Sequence, residues 1–207
     1  MPPRSVASRA LTTVMLLGVV ACHSRAAAPS APRIVSRAEW GARDPVLPTR
    51  EHVPVRITIH HTATNQDPSR PVGEKLRALQ AWSQRDDSLA GGRRKPAWPD
   101  VPYHYYVAVD GAIAEGREWR WVGDSNTPYD PTGHLLVVVE GNFERDTLAA
   151  AQRAALNALV PALARRFRIP ADSLRAHRDY ARTACPGEHL YAELGALRAV
   201  VRGARTR

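Results

Sequence analysis

The chain has 207 residues, of which 44% are hydrophobic and 24% charged, with a formal net charge of +9. That length and apolar content suit one folded domain around a single core and exclude a disordered or low-complexity chain. The excess charge is mostly Arg and points to an anionic partner; an exported chain sets nucleic acid aside in favour of an envelope polymer, and an Arg-rich composition alone is the plainer reading.

Residues 1–21 begin with Arg4 and Arg9 and then run apolar from Leu11 to Ala21, which reads as an export signal too short to span a bilayer. The stretch ends in Val19-Val20-Ala21-Cys22. A branched aliphatic three residues before a Cys, with a small residue just before it, resembles a bacterial lipobox and implies cleavage before Cys22 and acylation of its sulfur. Loss of the two Arg would leave a charge of +7. Residues 22–32 are then a lipid-anchored flexible tether of Ala, Pro and Ser with little to bury, and residues 33–207 one folded domain. The expected location is the cell envelope, at the outer membrane and periplasm if the host has an outer membrane, with the protein a monomer. With Cys22 acylated, Cys185 has no disulfide partner in an exported protein.

In the domain, Val55–His60 alternates apolar and polar residues with β-branching and predicts a strand. Residues 73–85 place Leu76, Leu79 and Trp82 on one stripe of a helix. Residues 86–99, rich in Gly, Pro and charge, read as a loop. Tyr103–Val109 and Ala112–Glu115 flank Asp110-Gly111, a hairpin signal. Leu135–Val139 is all apolar, a central strand buried on both faces. Thr147 could cap a helix carrying Leu148, Ala155, Leu159, Leu163 and Phe167, with a kink or break at Pro161. Pro186–Val201 repeats Leu190, Leu194, Leu197 and Val201 at helical spacing, with Pro186 in the first turn. The expected fold is α/β: a single domain with a central mixed sheet of four to six strands flanked by helices.

Of eight His, the useful set is His60-His61 at a strand end and His177 with Cys185 in one loop. A catalytic zinc site uses three protein ligands and keeps a fourth position for water, and a thiolate on zinc needs no disulfide partner. Spacing alone leaves an inert buried Cys equally open, because His177 and Cys185 match no common local zinc signature. Alternation turns His61 and His104 away from residues beside them, so both are structural. His52, His134 and His189 are surface or packing residues, and Trp82, Trp98, Trp119 and Trp121 core or rim.

Four segments, Ile57–Thr64 (ITIHHTAT), Asp100–Gly111 (DVPYHYYVAVDG), Glu115–Gly123 with Gly141-Asn142-Phe143, and His177–Gly187 (HRDYARTACPG), occur in one order. Together they resemble the zinc amidase family shared by bacteriophage T7-type lysozymes and animal peptidoglycan recognition proteins. The resemblance implies an N-acetylmuramoyl-L-alanine amidase that cuts peptidoglycan between N-acetylmuramic acid and the L-alanine of the stem peptide with zinc-activated water. It implies Zn²⁺ on His60, His177 and Cys185, Tyr103 as the catalytic tyrosine, and Thr183 where phage enzymes carry Lys and catalytic animal proteins Thr. The sequence departs from the family at Asp124 and Ser125, where relatives often carry a small residue and then a His. It also has Val138 where cytosolic recycling amidases carry a catalytic Glu, with Glu140 at the strand's last position. Residues 86–99 are longer than in compact phage relatives and are expected to border the groove. Two rivals are a non-catalytic peptidoglycan-binding lipoprotein, whose family members typically lose the Cys ligand, and a structural tether between membrane and wall, which needs no zinc triad.

Overall fold

A computed structural model of the chain describes residues 31–89 and 91–205. The export signal, Cys22 and the tether up to residue 30 lie outside the described residues. The described chain is the expected mixed α/β domain. Its elements are β1 (Ile34–Val35), β2 (Arg56–His61), α1 (Val72–Ser83), β3 (Asp87–Ser88), β4 (Arg94–Lys95), β5 (Tyr105–Val107), β6 (Ile113–Glu115), β7 (His134–Val139), α2 (Ala150–Arg166), β8 (Leu174–Ala176), α3 (Glu188–Ala192) and α4 (Leu194–Arg205). Six strands form one sheet in the order β1-β6-β5-β7-β2-β8, and β3 pairs with β4 apart from it. Only the β5–β6 ladder of the main sheet is antiparallel.

Period-two alternation divides the sheet into two faces. Ile57, Ile59, Leu135, Val137 and Val139 join Leu156, Leu159, Leu163, Leu197 and Val201 of α2 and α4 in the larger core. Val138, Tyr106 and Ala114 point the other way and meet Trp40, Val72 and Leu76 in the smaller core under α1. The whole β7 run is buried, as an all-apolar central strand requires. His60 and Thr58 belong to the second face, which is therefore where the polar chemistry collects.

Several boundaries differ from the sequence reading. The helix carrying Pro161 is not broken into two shorter helices, and Thr147 does not cap it. It runs unbroken from Ala150, and its start is set by Gln152, whose Oε1 accepts the Ala149 N–H at 3.2 Å while its Nε2 donates to the Glu140 carbonyl at 2.7 Å. Pro161 deprives the Asn157 carbonyl of its donor, but Asn157 is on the exposed side, where water can serve instead. The C-terminal segment is two helices, with a tightened turn at Glu193 whose N–H reaches the Leu190 carbonyl at 3.1 Å. Pro186 precedes them in a cis peptide with Cys185. Residues 86–99 contain the β3–β4 hairpin rather than irregular loop alone. The expected strand Tyr103–Val109 contracts to β5 because Tyr103 and His104 bend towards residues 116 and 117, whose N–H groups bond the His104 and Tyr103 carbonyls at 2.8 Å.

Candidate metal and catalytic site

β2 delivers His60 near its C-terminal end, buried, on the face opposite the large core. β8 lies parallel to β2 with Ala176 opposite Ile59, so the residue that follows, His177, emerges beside His60. The two rings lie 4.5 Å apart between centroids. A short 3₁₀ turn, His177–Asp179, is held by Asp179 Oδ2 accepting the Ala176 N–H at 2.9 Å. The chain then loops back, with Arg178 N–H donating to the Cys185 carbonyl at 2.9 Å, which returns the thiol to the two rings. Gly187 makes the return possible, because a Cβ there would come within 2.3 Å of the Phe143 carbonyl carbon, and its φ of +88° is in the left-handed region.

His60, His177 and Cys185 present ligand atoms that all lie within 4.8 Å of one another, and all three residues are buried. Cys185 Sγ is 3.7 Å from His60 Nδ1. A tetrahedral zinc with Zn–S of about 2.3 Å and Zn–N of about 2.0 Å separates such atoms by roughly 3.5 Å. His60 Nε2 is buried without a hydrogen-bond partner, so among the described residues neither nitrogen of that ring is bound to oxygen or nitrogen. Burial, and then the neighbouring His177, hold the His60 pKa well below its ordinary value; burial brings His177 down to about 4. Both rings are therefore neutral and able to ligate. Burial pushes the Cys185 thiol up to about 12, against a weaker lowering by the His61 N–H that approaches Sγ at 3.4 Å. Such a thiol ionises near neutrality only beside a cation, and a desolvated N₂S set suits zinc. These residues fit the metal.

The remaining residues of the sequence reading gather here too. Tyr103, just before β5, has its ring centroid 5.2 Å from that of His60, and burial raises its phenol pKa. Thr183 Oγ1 accepts the Cys185 N–H at 3.2 Å. Tyr103, Thr183 and the three candidate ligands line one cleft of about 260 Å³. A wider groove of about 650 Å³ adjoins it through Thr62, Trp98, Tyr103 and Asn126, and also takes in Arg70, Trp82 and Tyr106. Trp82 and Trp98 therefore stand at the groove wall, edge-to-face at 5.6 Å.

The histidines set aside earlier have structural partners. His61 turns to the other face, where its Nδ1 accepts the Phe143 N–H at 3.3 Å. His52 and His104 are buried between loop carbonyls and strand amides, and His134 meets Thr58 Oγ1 at 2.8 Å. Val138 is in the apolar core, so no carboxylate occupies that position. Glu140 is buried and committed: it pairs with Lys75 Nζ at 2.7 Å and accepts the Asp67 and Val109 N–H groups at 2.9 Å. Residues that the sequence did not single out are Thr127, whose hydroxyl touches His177 Nε2 at 2.6 Å, and Tyr129, which packs on the same ring. Nothing in the pattern around Thr127 marks it, because the contact joins segments 50 residues apart.

The pattern of known N-acetylmuramoyl-L-alanine amidases matches residues 50–188 of the chain. Peptidoglycan-recognition protein SC2 of Drosophila simulans is 31% identical over 185 residues, 87% of this chain and 93% of that protein. The solved amidase LysC of Clostridium intestinale superposes with a TM-score of 0.63 at 26% identity, covering 80% of this chain and 96% of that one. Peptidoglycan recognition protein-LE, solved with tracheal cytotoxin (a monomeric diaminopimelic acid-type peptidoglycan), superposes with a TM-score of 0.65 at 27% identity over 79% of this chain and 92% of its own. With the match spanning His60, His177 and Cys185 and the fold shared over 80% of the chain with LysC, the chain belongs to the N-acetylmuramoyl-L-alanine amidase family.

Proposed function

We propose that the chain hydrolyses the amide between N-acetylmuramic acid and the L-alanine of the peptidoglycan stem peptide, with a zinc ion held by His60, His177 and Cys185. The observation that carries this reading is the convergence of those three buried side chains beside Tyr103 in one cleft. Zinc there would supply Lewis-acid polarisation of the amide carbonyl and activation of water near neutral pH.

The chain's own groups divide the rest. Neutral His60 and His177 offer lone pairs without a proton to displace. Tyr103, kept protonated by burial, donates its O–H to the carbonyl oxygen as negative charge develops there. Thr183, whose oxygen accepts from Cys185, keeps its own O–H for the cleft, where it can hold the tetrahedral carbon's second oxygen. The adjoining groove of about 650 Å³, lined by Trp82, Trp98 and Arg70, is where the stem peptide would lie. The related proteins named for peptidoglycan recognition support the substrate class.

We also infer that the domain is exported and tethered to the envelope through an acylated Cys22, on the strength of residues 1–22 alone. Metabolic labelling with a fatty acid that disappears in Cys22→Ala checks the anchor. For the activity, the protein from residue 23 onward is assayed for zinc and incubated with sacculi, and the soluble products are read by mass spectrometry. Intact stem peptides with a free N-terminal alanine are expected. Zinc-loaded protein that retains sacculi and releases none of them would make it a non-catalytic binder.

A further inference from the structure

The turn after Gly123 sets two hydroxyls against His177. Thr127 Oγ1 lies 2.6 Å from His177 Nε2, and Ser125 Oγ lies 3.4 Å from the same nitrogen. The two hydroxyl oxygens are 2.8 Å apart, and Ser125 Oγ also accepts the Thr127 N–H at 3.1 Å. The Tyr129 ring packs on the imidazole at 5.0 Å between centroids, which limits its rotation. With Nε2 taken by Thr127, Nδ1 is the nitrogen left for a metal. Metal-bound histidines ordinarily pass their second N–H to a carboxylate, a carbonyl or water. Among the described residues the partners of His177 Nε2 are these two hydroxyls instead.

We propose that Thr127 is a positioning residue for the metal site: its hydroxyl accepts the Nε2 proton of His177, fixes the tautomer whose Nδ1 can ligate, and thereby turns the Ser125 hydroxyl outward as a donor to substrate. The proton count gives the direction. A metal on Nδ1 leaves the proton on Nε2, so Nε2 donates and Thr127 Oγ1 accepts. The Thr127 proton then goes to Ser125 Oγ, which already accepts the Thr127 N–H. Both lone pairs of Ser125 are occupied, and its O–H is left over in the cleft that it lines with His60 and Cys185. The opposite polarity would run from Ser125 through Thr127 to Nε2, place the ring proton on Nδ1 and block ligation. Ser125 stands where the family often carries a His near the substrate, so this pair of hydroxyls takes over that corner of the site in this chain.

The proposal rests on His177 being a metal ligand, and the test separates the two ideas. Thr127→Val removes the hydroxyl at nearly constant volume. Zinc affinity, measured by competition with a chromophoric chelator, should fall about 10- to 100-fold. Thr127→Ser should restore most of it. In the metal-free wild type, ¹⁵N NMR should find His177 protonated on Nε2, with that preference lost in Thr127→Val; a role in stability alone would not move the tautomer. A Thr127→Val protein that binds zinc within about twofold of wild type, or wild-type His177 protonated on Nδ1, overturns the proposal. His177→Ala that loses zinc while Thr127→Val keeps it overturns Thr127 alone; His177→Ala that binds zinc as wild type does overturns the metal site with it.

Discussion

His52 and His104 lie stacked with ring centroids 5.5 Å apart, and each bridges the same two parts of the chain. In both rings Nε2 donates to a carbonyl of the 119–121 segment: His52 to Trp119 at 2.9 Å and His104 to Trp121 at 2.8 Å. In both, Nδ1 accepts a backbone N–H, from Gly133 just before β7 at 2.9 Å and from Leu136 within it at 2.8 Å. This arrangement works only for neutral rings, since a proton on Nδ1 would face an N–H. Burial, the largest influence on each, lowers both pKa values, that of His104 to about 3.

The sign of the pH effect follows. Below about pH 6.5 the unfolded chain takes up protons that folded His104 refuses, so stability is full above that pH and is lost as pH falls towards 3. By pH 5 the loss from His104 alone should reach about 2 kcal/mol. Urea unfolding of wild type at pH 7 and pH 5 measures the drop, and His104→Gln, less stable at pH 7, should show a visibly shallower dependence. An equal slope in the two proteins would refute this account.

The Lys75–Glu140 pair is buried at the floor of the groove, and Lys75 Nζ also donates to the Asp67 carbonyl at 2.6 Å. It ties α1, the end of β7 and the segment leading from His61 to α1 into one unit. Removing one charge leaves the other buried and unpaired, so Glu140→Gln should cost about 3 kcal/mol in chemical denaturation. The double variant Lys75→Met with Glu140→Gln should recover part of that loss, because it leaves no buried charge. If the double variant is as unstable as the sum of the two single ones, the pair is not acting as a unit.

How much of this was legible beforehand depends on the range of the forces involved. β2 and β7 were readable because alternation in ITIH separates an apolar face from a polar one and the unbroken LLVVV run reports burial on both faces. The metal cluster was readable only with the family pattern, because His60 and Cys185 are 125 positions apart and parallel pairing of β8 on β2 brings them together. β1 and β8, of two and three residues, owe their strand conformation to the neighbours they pair with. The continuity of α2 through Pro161 depends on which side of the helix faces water, a tertiary property. Thr127 and Ser125 sit in a turn with no period at all, and only the folded chain shows what their hydroxyls touch.

The β3–β4 hairpin is held by Lys95, which is fully buried with its ammonium 4.6 and 4.4 Å from the Trp82 and Trp98 ring centroids. Lys95 Nζ donates to the carbonyls of Ser83, Arg85 and Pro96 at 2.9 to 3.0 Å. Lys95→Met keeps the length and the apolar stem but leaves three carbonyls without their donor, at about 1–3 kcal/mol for each that stays buried. The hairpin should therefore open locally. Hydrogen exchange should quicken at Leu89 and Gly92, whose amides bond within the hairpin, while β2 and β7 stay protected. Uniform exchange changes across the domain would show that Lys95 supports the fold at large rather than this hairpin.

Tyr103 gives the sharpest test of the chemistry, because its phenol can be removed with the ring left in place. If its O–H stabilises the developing oxyanion, Tyr103→Phe should lower kcat about 10²–10³-fold, as loss of one such donor does elsewhere, with KM nearly unchanged. Zinc content should stay at the wild-type level, since Tyr103 is not among the clustered ligands. Burial raises the phenol pKa above its ordinary value of 10, so the donor stays protonated across the neutral and mildly alkaline range. The wild-type rate should therefore show no alkaline loss from Tyr103 below about pH 10. Full kcat in Tyr103→Phe with normal zinc would remove the tyrosine from the mechanism, while a fall in bound zinc would move its role from the oxyanion to the metal site.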